Sequence, residues 1–480
     1  MPAQLGDIDV IEHDGRIHLF HLVLPNHDLV AHAVSDDGLT WSPLPPAMCT
    51  GKPGDCDDDM IWTMQVVRRP DGRGFHMYYT GCSTAEHGQH QRVALATSTD
   101  LIHWTRHPAN PVLVAAPPHY NDQLGLVGFV SFRDPFVFIE DGTWHMLVTA
   151  RTTQGGRFTR GCVAHATSAD GLRWQLQPPL YAPQHMEDCE VPAVIRLGSR
   201  YYLHLHDFAG NGLYRIADSL AGPWHAPLRD QLLPPNNLVH RFCTWRGRLL
   251  MYHWLRGPVD WQRRAAGSGV SALAPPKEVL ALPNGELVLH SFAGWSDRHA
   301  GDPVTLDLNA MARQGSSPGD PWQTQAHTLQ VNTFGRAVAL APQAFDHFIF
   351  QTTLNLHHGR AAGVVLRTDP GLEACTYVRL DFAHGQIELH RHRVFDSSLH
   401  RYKLTKPTLL QAMPARLTPG QDLRLRVLAC REYIEVCLND VVYLSANTYH
   451  AQRGQIGLMV EDAQAEFSDA TVQGLRAVDA

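Results

Sequence analysis

The chain has 480 residues, with 40 Lys plus Arg against 47 Asp plus Glu and a formal net charge of −7. That balance excludes the basic footprint needed to coat nucleic acid or anionic membrane, and no apolar run approaches the ~20 residues that span a bilayer. Two domains are the prior at this length, in a soluble protein with neither nucleic-acid nor membrane partners.

The opening segment, MPAQLGDIDV, has neither a charged n-region nor an apolar h-region, so no signal peptide is expected. Nine cysteines without a CxxC pair fit reduced thiols in a cytoplasmic protein better than a disulfide framework or a zinc site. The tandem histidines His204-Leu205-His206 and His390-Arg391-His392 read as one face of a strand, since no third ligand follows at a metal-binding spacing. With no phosphate loop and no dinucleotide fingerprint either, neither metal nor cofactor is expected.

Strand-like alternation runs through the whole chain, broken by 38 Gly and 32 Pro. Turn residues recur before aromatic-rich strands: Asp14-Gly15 before RIHLFHL, Asp71-Gly72 before RGFHMYYTG, Asp141-Gly142 before TWHMLVTAR, Gly198 before SRYYLHLHD and Gly247 before RLLMYHWL. The glycines are spaced by 57, 70, 56 and 49 residues, about one four-stranded propeller blade each. Four units close on a turn and a tryptophan, at Trp41, Trp104, Trp174 and Trp224, expected to fill the space between neighbouring blades.

The repeat fades near residue 295 in a Gly/Pro/Ser-rich stretch, GDPVTLDLNAMARQGSSPGDPWQ, and eight short strand-like runs follow without a helix. The expected fold is therefore all-β: a five-bladed β-propeller over residues 1–295, a linker over 296–325 and a β-sandwich over 326–480.

Counting eight positions back from the five turn glycines gives Asp7, Met64, Asp134, Glu190 and Val239. If the hairpins are equivalent, these residues share one inward-facing position, and three are acids. Like charges brought together cost free energy unless a function retains them. Glycoside hydrolysis uses such a set. One carboxyl protonates the leaving oxygen, a second attacks the anomeric carbon or activates water, and a third can hold a sugar hydroxyl and stabilise the oxocarbenium-like transition state. Trp62 is a candidate ring for stacking on sugar C–H groups, and the neighbouring acidic run Asp57-Asp58-Asp59 a candidate source of carboxylates for sugar hydroxyls.

At these residues the chain resembles glycoside hydrolase family 32, the β-fructosidases. Phe132-Arg133-Asp134-Pro135 is similar to that family's Arg-Asp-Pro motif, and Cys189-Glu190-Val191-Pro192 to its Glu-Cys-Pro motif. His18-Leu19-Phe20, His32-Ala33-Val34-Ser35 and the C-terminal Gly454-Gln455-Ile456-Gly457-Leu458 resemble further signatures of its propeller and sandwich. In place of the family's Trp-Met-Asn-Asp-Pro-Asn-Gly segment stands Gly6-Asp7-Ile8-Asp9-Val10, as in a divergent subgroup with Gly-Asp-Val. Trp62-Thr63-Met64-Gln65 takes the place of Phe-Ser-Gly-Ser.

The resemblance implies a retaining, exo-acting hydrolase that frees a terminal furanose, β-D-fructofuranose from sucrose or fructo-oligosaccharides. It implies Asp7 as nucleophile with Asp9 as fallback, Asp134 as transition-state stabiliser and Glu190 as general acid/base. Arg133, Trp62, Thr63, Asp59 and Asp9 are the expected substrate contacts. The alternatives are an inverting arabinofuranosidase, a fructosyltransferase, or a propeller that binds carbohydrate without turnover. By analogy the sandwich is expected to contact a second subunit, making a homo-oligomer, or to narrow the active-site mouth.

Overall fold

The computed structural model of the protein describes residues 4–125, 128–256, 271–315, 322–325, 327–393, 407–448 and 451–477. Strand makes up 62% of the structure and helix 3%, so the all-β expectation holds. Its contacts divide the chain into one unit within residues 1–288 and another within 289–479.

The first unit is a β-propeller of antiparallel meanders. The first sheet runs β1 (Gln4–His13), β2 (Arg16–Leu24), β3 (Leu29–Ser35) and β4 (Ser42–Cys49). The second contains β5 (Met60–Arg68), β6 (Phe75–Cys82), β7 (Arg92–Ser98) and β8 (Thr105–Arg106), and the third β9 (Phe132–Glu140), β10 (Thr143–Arg151), β11 (Gly161–Ser168) and β12 (Gln175–Tyr181). The fourth has three strands, β13 (Glu190–Leu197), β14 (Arg200–His206) and β15 (Gly212–Ala217), its outer edge joined by isolated bridges to Gln231 and His225. After these come β16 (Asn237–Trp245), β17 (Arg248–Leu255), β18 (Ala272–Leu273) and β19 (Lys277–Ala281).

Hairpin chemistry explains the repeat seen in sequence. Asp14-Gly15 and Asp141-Gly142 both take positive φ at both positions (51° and 78°, 49° and 79°), the geometry of a tight turn whose twist matches that of its strands. Gly72, Gly198 and Gly247 also lie at positive φ. The first strand of each meander lies innermost. In succession β1 packs on β5, β5 on β9, β9 on β13, β13 on β16, and β16 on β1.

The closing tryptophans each reach a neighbouring sheet. Trp41 stands edge-on to Tyr252, Trp104 to Phe20 and Trp174 to Tyr78, while Trp224 packs on a cluster containing Leu147 and Val163. These contacts are structural, as expected.

Polar clamps tie the inner strands to one another. Asp9 accepts the Val66 N–H at 2.7 Å, joining β1 to β5, and Val191 N–H donates to Asp134 Oδ2 at 3.1 Å, joining β13 to β9. The buried Gln65 amide both donates to Val137 O (3.1 Å) and accepts from Val137 N–H, joining β5 to β9. Gln65→Leu leaves both buried backbone groups without this partner, and a loss of about 2 kcal/mol is expected from the urea-unfolding midpoint. A change within ~0.5 kcal/mol, the range of inert surface substitutions, would show that the clamp is not made.

The second unit is a β-sandwich-like sheet built around three long strands, Thr328–Phe345, Phe348–Thr368 and Gly454–Leu475. Strand Phe348–Thr368 pairs through its first half with Asp422–Cys430 and through its second with Ala374–Asp381. Register shifts between residues 351 and 353 and between 356 and 358 break its ladder with Gly454–Leu475, and such bulges bend a strand. Gly359 follows at φ +114°, where a Cβ would stand 2.4 Å from the Cα of Ala463. The core of this unit includes Leu354, Val364, Leu380, Leu425, Val436 and Phe467, all fully buried. Within the stretch expected as a linker, His299–Thr305, Ala312–Gly315 and Trp322–Gln325 pair as strands with the long strands of this unit; residues 316–321 lie outside the described residues.

Candidate active site

Each inner strand breaks its ladder near its start, and the irregularity decides what reaches the propeller axis. Register shifts fall between Leu5 and Ile8, Trp62 and Met64, Glu190 and Ala193, and Leu238 and Arg241, and β9 shifts opposite Leu147 to Thr149. At these bulges Asp134, Val191 and Val239 have φ of 60°, 49° and 56°. Asp tolerates that left-handed conformation, but a β-branched Val does so at a cost on the order of 1–3 kcal/mol. The strain lies beside the acids and turns the chain so that successive strands present a side chain to one cavity.

That cavity, of about 430 Å³, is lined by Asp7, Thr63, Asp134, Glu190 and Val239, one from each inner strand, with Arg133 beside them. Four of these match the positions counted back from the turn glycines. The fifth differs: Met64 is fully buried in the core, and Thr63 faces the cavity. The second hairpin closes Arg68 on Phe75 through residues 69–74 rather than through a tight Asp-Gly pair, so counting back from Gly72 lands one residue late.

Thr63 Oγ1 donates to Asp7 Oδ2. Asp134 Oδ2 accepts from Thr149 Oγ1 (2.9 Å) and from Val191 N–H (3.1 Å), while Asp134 N–H donates to Thr80 Oγ1 at 2.9 Å. Arg133 spans the acids: its NH2 lies 2.5 Å from Glu190 Oε1 and 2.9 Å from Asp188 Oδ2, and its Nε 3.5 Å from Asp134 Oδ2. Asp188 is fully buried and is held in turn by Arg151, at 2.8 Å and 3.0 Å. Arg133 is thus fixed from behind, and it fixes Glu190 in front.

The acids are not equivalent in charge. Burial, above all, pushes the Glu190 carboxyl up to about 7; the Asp134 charge adds to this and Arg133 opposes it. Burial and the nearby Asp134 charge also raise Asp7, against the Thr63 hydrogen bond and the charge of Arg241. A carboxyl that holds its proton near neutrality, set in one cavity with two further carboxyls, is the pairing of acid and nucleophile that glycoside hydrolysis requires.

Of the expected substrate contacts, Trp62, Thr63 and Arg133 line the cavity. The Trp62 indole N–H donates to Met60 Sδ at 3.4 Å, so its ring stands at the wall and not in a blade core. Asp9 and Asp59 do not line it. Asp9 is buried in the channel beyond it, against Val66 N–H and Arg241. Asp59 is tied through its backbone to Cys82 O, and its neighbours serve the same loop: Asp57 accepts from Tyr79 and Arg106, and Asp58 from the Gly54 and Thr84 N–H groups.

Sequence reasoning missed Asp188, Thr149, His206 and Trp254. The last two line the cavity, and Asp188 was visible only as an acid two places before Glu190. His204 and His206 do share a strand face, their rings 5.1 Å apart, and both pack on His240.

Comparison with known proteins adds family evidence. Residues 8–214 match the glycosyl hydrolases family 32 N-terminal domain, and residues 317–474 the glycosyl hydrolases family 32 C-terminal domain. An insoluble isoenzyme of β-fructofuranosidase from Arabidopsis thaliana is 29% identical over 185 residues, 36% of this chain but only 29% of that enzyme's length. Among solved structures, fructan 1-exohydrolase IIa from Cichorium intybus superposes with a TM-score of 0.71 at 15% identity, covering 100% of this chain and 96% of that one. The exo-inulinase from Aspergillus awamori gives 0.72 at 17% identity, covering 99% and 96%. At such identities the structures speak for the fold alone.

Proposed function

Since this chain belongs to glycoside hydrolase family 32, we propose that it is a retaining, exo-acting β-fructofuranosidase, freeing terminal fructose from sucrose or fructo-oligosaccharides. The observation that carries this reading is the convergence of Asp7, Asp134 and Glu190 on one cavity of about 430 Å³, a volume suited to a small ligand. The propeller is read as five-bladed, with β16 to β19 as the fifth blade; the succession of inner strands returning from β16 to β1 supports this. Sequence similarity to an enzyme named β-fructofuranosidase supports the sugar.

In the first step the Asp7 carboxylate attacks the anomeric carbon while the bond to the leaving oxygen breaks and Glu190 gives that oxygen its proton. In the second, Glu190 takes a proton from water, whose oxygen displaces Asp7 from the anomeric carbon on the same face as the departed group. Asp134, held by Thr149 and by the Val191 and Thr80 contacts, accepts hydrogen bonds from ring hydroxyls, which tighten as the ring gains oxocarbenium character. Trp62 offers its ring at the cavity wall.

The pH dependence follows from the two carboxyls. Glu190 must begin protonated, so kcat/KM falls as pH rises through about 7; Asp7 must begin ionised, so it falls on the acid side at a pH above the ordinary carboxylate range. A bell-shaped profile of the free enzyme is expected. A rate that stays flat from slightly acidic to slightly alkaline pH would contradict the assignment of Glu190.

The function is tested by incubating the enzyme with sucrose, β-2,1 and β-2,6 fructans and aryl arabinofuranosides, and resolving products by anion-exchange chromatography. Fructose set free from chain ends is expected. Arabinose alone, larger fructosides alone, or binding without turnover would each overturn the proposal in a different direction.

A further inference from the structure

The channel beneath the acids repeats the logic of the layer above it. Two residues after each cavity-facing side chain, the same five strands carry Asp9, Gln65, Phe136, Pro192 and Arg241. Because the ladders shift at these points, strand alternation does not place these residues; what they line sets them in the next layer down the axis. Four of them, Asp9, Gln65, Phe136 and Arg241, line a separate cavity of about 280 Å³.

Arg241 is the cation of this layer. Its side chain is 1% exposed, yet it touches all three strands that bear the acids: Nε lies 3.6 Å from Asp9 Oδ1, NH1 donates to Pro192 O at 3.4 Å, and the guanidinium stands 5.8 Å from the Phe136 ring centroid. Each contact falls two residues beyond Asp7, Glu190 or Asp134. One carboxyl at 3.6 Å is a poor return for burying an arginine, and neither Nε nor NH2 has a hydrogen-bond partner among the described residues. An arginine keeps its charge in such a place, so its field reaches the acids above.

We propose that Arg241 is a positioning residue for the reaction: from the layer beneath the acids, seated against Asp9, Pro192 and Phe136, it keeps Asp7 charged and in place. This rests on the reading of Asp7 as nucleophile. Around Asp7, burial above all and Asp134 on β9 oppose its ionisation, while the Thr63 hydrogen bond from β5, Arg241 on β16 and Trp254 on β17 favour it. Around Arg241 stand Asp9, Asp134 and Asp7, together with His204 and His206 on β14; burial pushes the Asp9 carboxyl up to about 7 against the Arg241 charge, so it is mostly neutral on the acid limb, and burial lowers both histidines, His206 to about 4, so they stay neutral where the enzyme works.

The test is the acid limb of kcat/KM. Arg241→Met, which removes a positive charge that favours ionised Asp7, is expected to move that limb to higher pH, and Arg241→Lys to bring it back. Asp9→Asn, which removes only the neighbouring carboxyl, is expected not to raise it. Because Arg241→Met leaves Asp9 buried without its partner, the double variant Asp9→Asn/Arg241→Met keeps the test open if the single one does not fold, and it too is expected to show the raised limb. A wild-type limb in a folded Arg241→Met or double variant would overturn the proposal, since a purely structural arginine changes stability and not the limb. Asp7→Asn, assayed alongside, separates the two failures: an active Asp7→Asn enzyme removes the nucleophile reading itself, whereas an inactive one with an unmoved limb removes only the role of Arg241.

Discussion

Asp7→Asn lowers kcat on fructosides by roughly 10⁴-fold or more, the scale on which removal of an attacking nucleophile acts. The substitution keeps shape and leaves an oxygen for the Thr63 hydroxyl to bond, while the neutral amide cannot form the covalent ester. It also removes a carboxyl whose ionisation burial and the Asp134 charge both oppose, so the melting temperature should hold or rise as activity disappears. Steady-state kinetics on sucrose together with thermal melts read both effects. Loss of activity accompanied by a large loss of stability would mean that Asp7 serves the fold, and activity within tenfold of wild type would exclude it as nucleophile.

Glu190→Gln costs about 10²–10⁴-fold on sucrose, the range for a positioned general acid/base, and the size of the loss depends on the leaving group. A fructoside whose leaving group departs without help loses little in the first step, whereas sucrose needs the proton. The basic limb near 7 belongs to Glu190, so it should vanish from the residual activity of the variant. Arg133 stays anchored by Asp188 at 2.9 Å, and the cavity keeps its shape. A loss equal for good and poor leaving groups, with the basic limb still in place, would assign the proton to another residue.

Much of this site was legible in the sequence because propeller geometry repeats. Tight turns that require positive φ placed glycines at matching points of the hairpins, and the inner strands carried their cavity-facing residues a fixed distance away. The count failed where a turn lengthened: residues 69–74 displaced the second strand's register by one and hid Thr63 behind Met64. Asp9 misled for a different reason. It shares Asp7's side of β1, and only three-dimensional placement shows that a two-residue step along the strand moves a side chain from the active-site layer to the layer below. Asp59 lies in a loop whose acids cap backbone N–H groups and pair with Arg106, a use that composition alone does not separate from sugar binding. The support behind Arg133, through Asp188 and Arg151, joins residues far apart in the chain and had no local signal. Arg241 did have one, two residues beyond the fifth strand's Val239, just as Asp9 lies two beyond Asp7.

The most direct measurement is to trap the covalent intermediate. Glu190→Ala enzyme, given an activated β-fructofuranosyl donor, forms the sugar ester readily but hydrolyses it slowly, because no general base remains to activate water. Acid quenching, peptic digestion and tandem mass spectrometry then locate the adduct. One anhydrofructose on the Asp7 carboxyl, absent from Asp7→Asn, is the expected result. Fructose release with no adduct and inverted anomeric configuration, or an adduct on Asp9, would contradict a retaining mechanism centred on Asp7.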